Sequence, residues 1–353
     1  MSGESPYLSV VAVSRNDDHG GGLLGRMQQF VDCMSEQADL FRIPLELVLV
    51  EWNPPDGVPS LGEALSWPRP SEYFSARIIT VPPEVHRKFS HADRLPLFQM
   101  IGKNVGILRA RGRFVLATNI DIIFSNELMR FLSRKELEPG VFYRTNRIDV
   151  DSGLPTGASL GEKLAYCRSH VIRINSRYFL SSGGNIRALA MDVARNPSLL
   201  GYYLKNLVYK LKIPRLHYNA CGDFTLLARE DWEALRGYPE LGMYSLHIDS
   251  LFLMAASFSG LREEVLRSPC EVYHLEHAIG SGITPGLGQK VLFERLEREK
   301  VPFLTWRDCV RIALELKEQI TDENKLIHCN EESWGLTGMH LDEEIIRGSR
   351  CPE

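Results

Sequence analysis

The sequence predicts an α/β fold: a mixed, mainly parallel sheet sandwiched by helices, with a helical C-terminal extension. Two observations carry that expectation. Apolar, β-branched runs at 8–14, 45–51, 77–82 and 114–118 alternate with helical periodicity at 23–40 and 97–110. Strands joined by helical crossovers pair in parallel and are covered on both faces. Polar clusters close three of the runs, namely Arg15-Asn16-Asp17-Asp18, Glu51-Trp52-Asn53 and Asn119-Ile120-Asp121. Ligands of such sheets sit outside the carboxyl ends of the strands, so the three clusters are expected to converge on one rim.

After residue 139 the rhythm changes. Residues 140–150 alternate as a strand, and a loop-rich stretch runs through 181–185. Residues 199–213 follow with Lys205, Lys210 and Lys212 among Leu and Tyr, a basic amphipathic pattern that fits either an anionic membrane surface or packing on the core. A short strand precedes a helix from about Arg229, with a turn at Gly237. An apolar helix spans 247–260, and a strand at 271–277 leads into a Gly-rich loop. The last residues read as helices and a polar tail.

The chain has 353 residues, 44% of them hydrophobic and 24% charged, enough for a large globular core. A net charge of −4 gives no footprint for nonspecific nucleic-acid binding. The N-terminal residues lack the pattern of a secretory signal, and no apolar run reaches membrane-spanning length. The seven cysteines are scattered without CxxC pairs, as expected of reduced thiols in the cytoplasm.

Gly20, Gly22 and Gly25 satisfy G-x-G-x-x-G, with Glu51 in place to serve as a ribose carboxylate. A dinucleotide site needs its first glycine at the strand end, whereas Arg15 to His19 intervene. Flexible backbone before a helix is the better account. Asn119-Ile120-Asp121 admits two readings. A carboxylate at a strand tip suits Mn²⁺ or Mg²⁺ held against a diphosphate, and an Asx-type turn closing the strand fits equally.

The segments SVVAVSRND, LVLVEWNPPDG, KNVGILRARGRFVLATNIDIIFS and GDFTLLAREDWEALRGYPE, in this order, resemble the GT-A fold, nucleotide-sugar-dependent glycosyltransferases, in particular the family-two-like group. The likeness covers roughly 7–280. It implies a donor-binding half at 1–130, an acceptor-binding and catalytic half at 131–285, and a C-terminal extension at 286–353. By likeness Ser14, Arg15, Asn16 and Glu51, with Asn53 nearby, hold the nucleoside. KNVGILRARG, which contains Lys103 and Asn104, is similar to the N-x-G-x-x-x-A-x-G helix that leads into the D-x-D metal motif. That motif falls on Asn119, Ile120 and Asp121. Asn119 replaces its first Asp, so only Asp121 is charged and metal dependence is expected to be weak.

The resemblance also makes His274 a metal ligand, with His277 as alternate. On a strand the two would point to opposite faces, so at most one is expected to face the phosphates. A hydrogen-bonded core histidine is the competing account of either. Residues 280–288 fit a lid over the diphosphate or an ordinary surface loop. Asp249 stands where the family carries its catalytic carboxylate pair, with Ile248 in place of the usual Glu, and is the expected general base. A helix N-cap is its other reading. Asp223 is expected to bind acceptor or sugar. Trp232 and Tyr238 suit sugar stacking or the core, and Arg144, Arg147 and Asp149 suit donor contacts or a solvated strand face.

The implied function is inverting transfer of a sugar from a UDP- or GDP-linked donor to a carbohydrate, glycolipid or small-molecule hydroxyl acceptor. The implied setting is the cytoplasm, with peripheral contact at the inner membrane face. A sugar-phosphate nucleotidyltransferase is disfavoured by the acidic Asp17-Asp18 pair, which opposes a triphosphate. A non-catalytic sugar- or nucleotide-binding scaffold is favoured by Asn119 and opposed by Asp121, Asp249 and His274.

Overall fold

The computed structural model describes residues 5–155, 157–175, 177–178, 212–277, 290–321 and 325–348. The expected lid at 280–288, the loop at 181–185 and nearly all of the basic 199–213 segment lie outside them.

The first half builds the parallel block. Strand β1 (Leu8–Ser14) is buried along its whole length, as a strand between two covered faces must be. Helix α1 (Leu23–Phe41) begins after Gly22 in the left-handed region and ends at Arg42, also left-handed. Next come β2 (Leu45–Trp52), the single-turn α2 (Leu61–Ala64), β3 (Phe74–Val81) and the single-turn α3 (Pro83–His86). Helix α4 (Gln99–Leu108) packs on β1 through Gly102 and Gly106, where an added Cβ would lie 2.5 Å from the Val13 and Val11 side chains. Strand β4 (Phe114–Ala117) pairs in parallel with β1 on the side opposite β2.

The second half is mixed. It holds β5 (Ile122–Phe124), α5 (Asn126–Ser133), β6 (Val141–Val150), α6 (Leu160–Ser169), β7 (Val171–Ile174) and β8 (Arg177–Tyr178). Then follow β9 (Thr225–Ala228), α7 (Arg229–Leu235), α8 (Ile248–Phe258) and β10 (Arg262–Leu275). The C-terminal segment adds α9 (Lys290–Arg298), α10 (Trp306–Lys317) and β11 (Asp342–Ile346). Side-chain caps start four helices: Ser125 on α5, and capping boxes of Ser60 with Glu63 on α2, Ser159 with Glu162 on α6 and Thr305 with Asp308 on α10.

Strand order is β11-β3-β2-β1-β4-β9-β6-β10-β5, with β7 and β8 branching from β6. The long ladders β1–β2, β2–β3 and β6–β10 are parallel, and the antiparallel ones are short. The mixed, mainly parallel α/β sheet that the sequence predicts is therefore the one observed. One apolar cluster under α4, α8 and α10 fills one face, and another under α1 and α5 fills the other.

One connection shapes the site. Three strands stand between β4 and β5 in the sheet, a flat separation of about 19 Å at about 4.8 Å per strand. The link from Ala117 to Ile122 can span at most about 18 Å. The sheet therefore curls, and the Asn119-Ile120-Asp121 turn is drawn across its rim toward β10.

Two elements depart from expectation. The late strand begins at Arg262 rather than 271, because its first half is exposed and polar. Asp342–Ile346, read as polar tail, pairs antiparallel with β3 and covers its edge. Among the described residues no helix is long and apolar enough to cross a membrane.

Candidate functional site

Strand pairing places the central carboxylate and its neighbours. Ile122 pairs with His274, and the Leu275 N–H donates to the Asp121 carbonyl at 3.0 Å. Asp121 is thereby held against the end of β10. Its Oδ2 lies 3.5 Å from His274 Nε2 and 3.2 Å from His277 Nε2. Its Oδ1 is buried and has no hydrogen-bond partner among the described residues. Burial alone would raise this carboxyl, but the two imidazoles outweigh it and hold the group well below the usual carboxylate range.

The expectation that His274 and His277 face opposite sides is corrected. Alternation applies only within the strand, and β10 ends at Leu275, so the chain turns and brings both rings to Asp121. Gly20 makes room for the second ring, since a Cβ there would lie 2.4 Å from His277 Nδ1, and its φ is +75°. That contact is what the Gly-rich segment does locally.

Behind His274 lies a buried charged network. Its Nδ1 is 2.8 Å from Asp149 Oδ1, which also accepts from Arg147, while Arg173 Nε donates to Asp149 Oδ2 at 2.6 Å. Arg147 Nη1 donates in turn to Asp223 Oδ2 at 2.7 Å. Burial and Arg147 oppose protonation of His274, but Asp121 and Asp149 prevail and push it up to about 9. Asp149 keeps its charge despite burial because His274, Arg147 and Arg173 hold its carboxyl far below the ordinary range.

Asp121, His274 and His277 open on a cavity of about 230 Å³ at the carboxyl ends of β1 and β4, with Ser14, Arg15, Asn119 and Ile120 also on its wall. His19, Arg26, Gln99 and Arg147 also line it, together with Asp17, Tyr244 and Ser245. Cationic groups outnumber the carboxylates of Asp17 and Asp121, so the cavity suits an anion. Arg26 also clamps the Gly-rich loop, donating through Nη1 to Gly21 O and through Nη2 to His19 O.

The other residues singled out in the sequence lie around this cavity rather than on it. Glu51 is buried and accepts from the Leu61 N–H at 3.0 Å, and burial raises its carboxyl. Asn16 donates to Pro59 O, and Asn53, at φ +49°, donates to Pro96 O beneath one wall. Asn104 is turned toward the Gly237 turn, where it bonds Tyr238 and Glu240. Trp232 and Tyr238 are fully buried against Phe252, so the sugar-stacking alternative gives way to the core one. Arg144 is likewise buried, bonding Thr225 and the Asn219 carbonyl.

Lys103 joins the cavity to the carboxylates beyond it. Fully buried, it donates to Asn119 Oδ1 at 2.8 Å and Gly222 O at 2.7 Å. Burial brings the ammonium down to about 8, against the pull of Asp223, Asp249 and Asp121. A Cβ on Gly222 would lie 3.4 Å from Asp249 Oδ2 and 3.7 Å from Lys103 Nζ. Asp249 is not the N-cap of α8, a position held by His247 at φ +65°. It lies in the first turn, accepts from the Ser250 N–H at 2.7 Å, and is raised by burial against His247, Lys103 and Arg144. A half-buried carboxyl raised in this way is suited to taking a proton.

Sequence reading passed over Gln99 and Arg26. Gln99 stands one turn before Lys103 on α4, a spacing that puts both on one face. For Arg26 the only local signal was its place one turn beyond Gly22.

No protein-family model matches the chain, and no curated protein matches it by sequence. Among solved structures it is similar to a mannosyltransferase from Pyrobaculum calidifontis in complex with GDP-Man and Mn²⁺. Identity there is 13% and the TM-score 0.39, over 88% of this chain and 69% of that one. It is also similar to residues 1–349 of S. aureus TarS, at 13% identity and TM-score 0.38, over 76% and 60% of the two chains. A third is the catalytic domain of Drosophila β1,4-galactosyltransferase 7 in complex with xylobiose, at 10% and 0.31, over 74% and 64%. The likeness is loose, and no residue role is carried across from it.

Proposed function

We propose that the chain is a glycosyltransferase that moves a sugar from a nucleoside diphosphate, UDP- or GDP-linked, to a hydroxyl acceptor with inversion. The observation that carries this reading is the convergence of Asp121, His274 and His277 on one point of a cation-lined cavity, with Asp121 Oδ1 left unpartnered. These three residues would hold a divalent ion, and their donor set fits one. Three ligand atoms lie within 4.8 Å of one another, and Asp149 already orients His274 so that Nε2 faces inward. Bound there, such an ion would supply positive charge against a departing diphosphate.

The protein's own groups supply the rest. Arg15, Arg26 and Arg147 favour the diphosphate by charge. Asp249 takes the acceptor hydroxyl's proton as the oxygen attacks the anomeric carbon, and Asp223, fixed by Arg147 and Asn119, bounds the sugar side. The carbohydrate, glycolipid or small-molecule acceptor enters from the Gly222–Asp249 side, and the setting is the cytoplasm.

Purified protein incubated with GDP- and UDP-sugars and Mn²⁺ tests the reading, with nucleoside diphosphate release and transfer as readouts. Turnover lost in Asp121→Ala supports it. Donor binding without hydrolysis or transfer across the panel favours the non-catalytic scaffold.

A further inference from the structure

We propose that the metal centre is a two-histidine, one-carboxylate site from which Asn119 is excluded, and that it selects transition-metal ions of the Mn²⁺–Co²⁺–Zn²⁺ type over Mg²⁺. The proposal rests on the reading of Asp121 as a metal ligand, and is independent of whether a sugar is transferred.

The amide of Asn119 has no capacity to spare. Its Oδ1 accepts from Gln99 Nε2 at 2.7 Å and from Lys103 Nζ at 2.8 Å, which uses both lone pairs. Its Nδ2 donates to Asp223 Oδ1 at 2.5 Å. Turning Oδ1 toward an ion would strip a fully buried ammonium of one of its two recorded acceptors, leaving Gly222 O. Leaving a buried charge underbonded is costly, so the amide stays where it is.

His277 takes the vacated role. Ligands about 2.1 Å from a shared ion stand about 3.0–3.4 Å apart in octahedral or tetrahedral geometry. His277 Nε2 at 3.2 Å and His274 Nε2 at 3.5 Å from Asp121 Oδ2 are already near that spacing. Strand geometry alone would have kept His277 away. It arrives because β10 ends at Leu275 and Gly20 leaves room behind its ring. Two of three protein ligands are therefore imidazole nitrogens. Mg²⁺ is a hard ion that takes oxygen ligands, whereas imidazole suits Zn²⁺ and its neighbours, with affinity rising along the series Mn²⁺ < Co²⁺ < Ni²⁺.

The test is metal titration of the full chain without nucleotide, by calorimetry and by the visible absorption of bound Co²⁺. The expected result is one site that binds Co²⁺ and Zn²⁺ at least about 100-fold more tightly than Mg²⁺, with Mn²⁺ between. His277→Ala should weaken Co²⁺ at least about tenfold and alter its spectrum, whereas Asn119→Ala should leave affinity within about threefold. Nitrogen couplings in the pulsed electron spin resonance of bound Mn²⁺ should count two imidazoles in the native chain and one in His277→Gln. Melting of each variant without metal confirms that it is folded. Should Asn119→Ala fail to fold, the nitrogen count decides alone. Mg²⁺ binding as tight as Co²⁺, a single imidazole in the native chain, or Co²⁺ binding untouched by His277→Ala would each overturn the proposal. If two nitrogens are counted but no donor turns over, the metal assignment stands and the glycosyltransferase reading falls.

Discussion

Asn104 and Tyr238 exchange two hydrogen bonds across the chain: Asn104 Nδ2 donates to the Tyr238 carbonyl at 2.7 Å, and the Tyr238 N–H donates to Asn104 Oδ1 at 2.8 Å. The pair welds α4 to the turn at Gly237, whose missing Cβ would lie 2.4 Å from that same Oδ1. Asn104→Ala leaves the buried Tyr238 N–H without its partner, while Asn330 Nδ2 still donates to the Tyr238 carbonyl at 2.7 Å, and should lower stability by about 1–3 kcal/mol in chemical denaturation. Metal affinity should not change. A matched loss of metal or nucleotide binding would return Asn104 to the donor site.

The glycines of the same segment make a graded prediction. At Gly106 an added Cβ would meet Val11 Cγ1 at 2.5 Å and Val50 Cγ2 at 3.1 Å, side chains able to shift. At Gly112 it would meet the Ser9 backbone nitrogen at 2.5 Å, which has nowhere to go. Gly106→Ala should cost about 1–3 kcal/mol by overpacking, and Gly112→Ala more. Thermal melting of the two variants side by side checks the order.

Asp249 separates catalysis from stability. Its carboxyl is raised by burial, so the folded chain holds that proton more tightly than the unfolded one, and ionising it above its folded pKa costs stability. Asp249→Asn should therefore melt at the native temperature or above at neutral pH, while turnover falls about 10²- to 10⁴-fold. The native pH–rate profile should fall on its acid side at a pH above that of an ordinary aspartate. Unchanged turnover in the variant would remove Asp249 as base.

His217 gives an acid limb to stability. Burial and then Arg144 bring its imidazole down to about 4, against an ordinary value near about 6.5. Between those values the unfolded chain takes up a proton that the folded one refuses. The contribution is thus complete above about pH 6.5 and lost as pH falls toward 4. His217→Gln should flatten that part of the stability–pH curve by about 1–2 kcal/mol. Identical slopes in native and variant chains would show that the ring is free to protonate in place.

Strands β1, β2 and β4 were legible because a strand buried on both faces is a continuous apolar run, and the rim followed from where those runs end. The first half of β10 and all of β11 were not, since an exposed strand carries charged residues and its partner is distant in sequence. Asp121 could be found for the same reason as β4. The face of His277 could not, because it depends on β10 stopping at Leu275. Asn104 differs: read from its motif as donor-binding, it bonds Tyr238 and Glu240 at the Gly237 turn, a contact between distant segments that no local spacing announces. The Asp149–Arg147–Arg173 network depends on the pairing of β6 with β7, to which no local spacing points.

The antiparallel seal of β11 over β3 has a consequence for how the protein is made. Glu343 ties it down by bonding Arg77 at 3.0 Å and Arg111 at 2.8 Å. Of the strands described, β11 is the last to leave the ribosome. Until it does, the β3 edge stands open with unpaired N–H and C=O groups, a template for pairing with another chain. Stalled translation or proteolytic trimming ahead of Asp342 should therefore reveal itself as aggregation of a chain whose other strands are already paired, before any change at the Asp121–His274–His277 cluster.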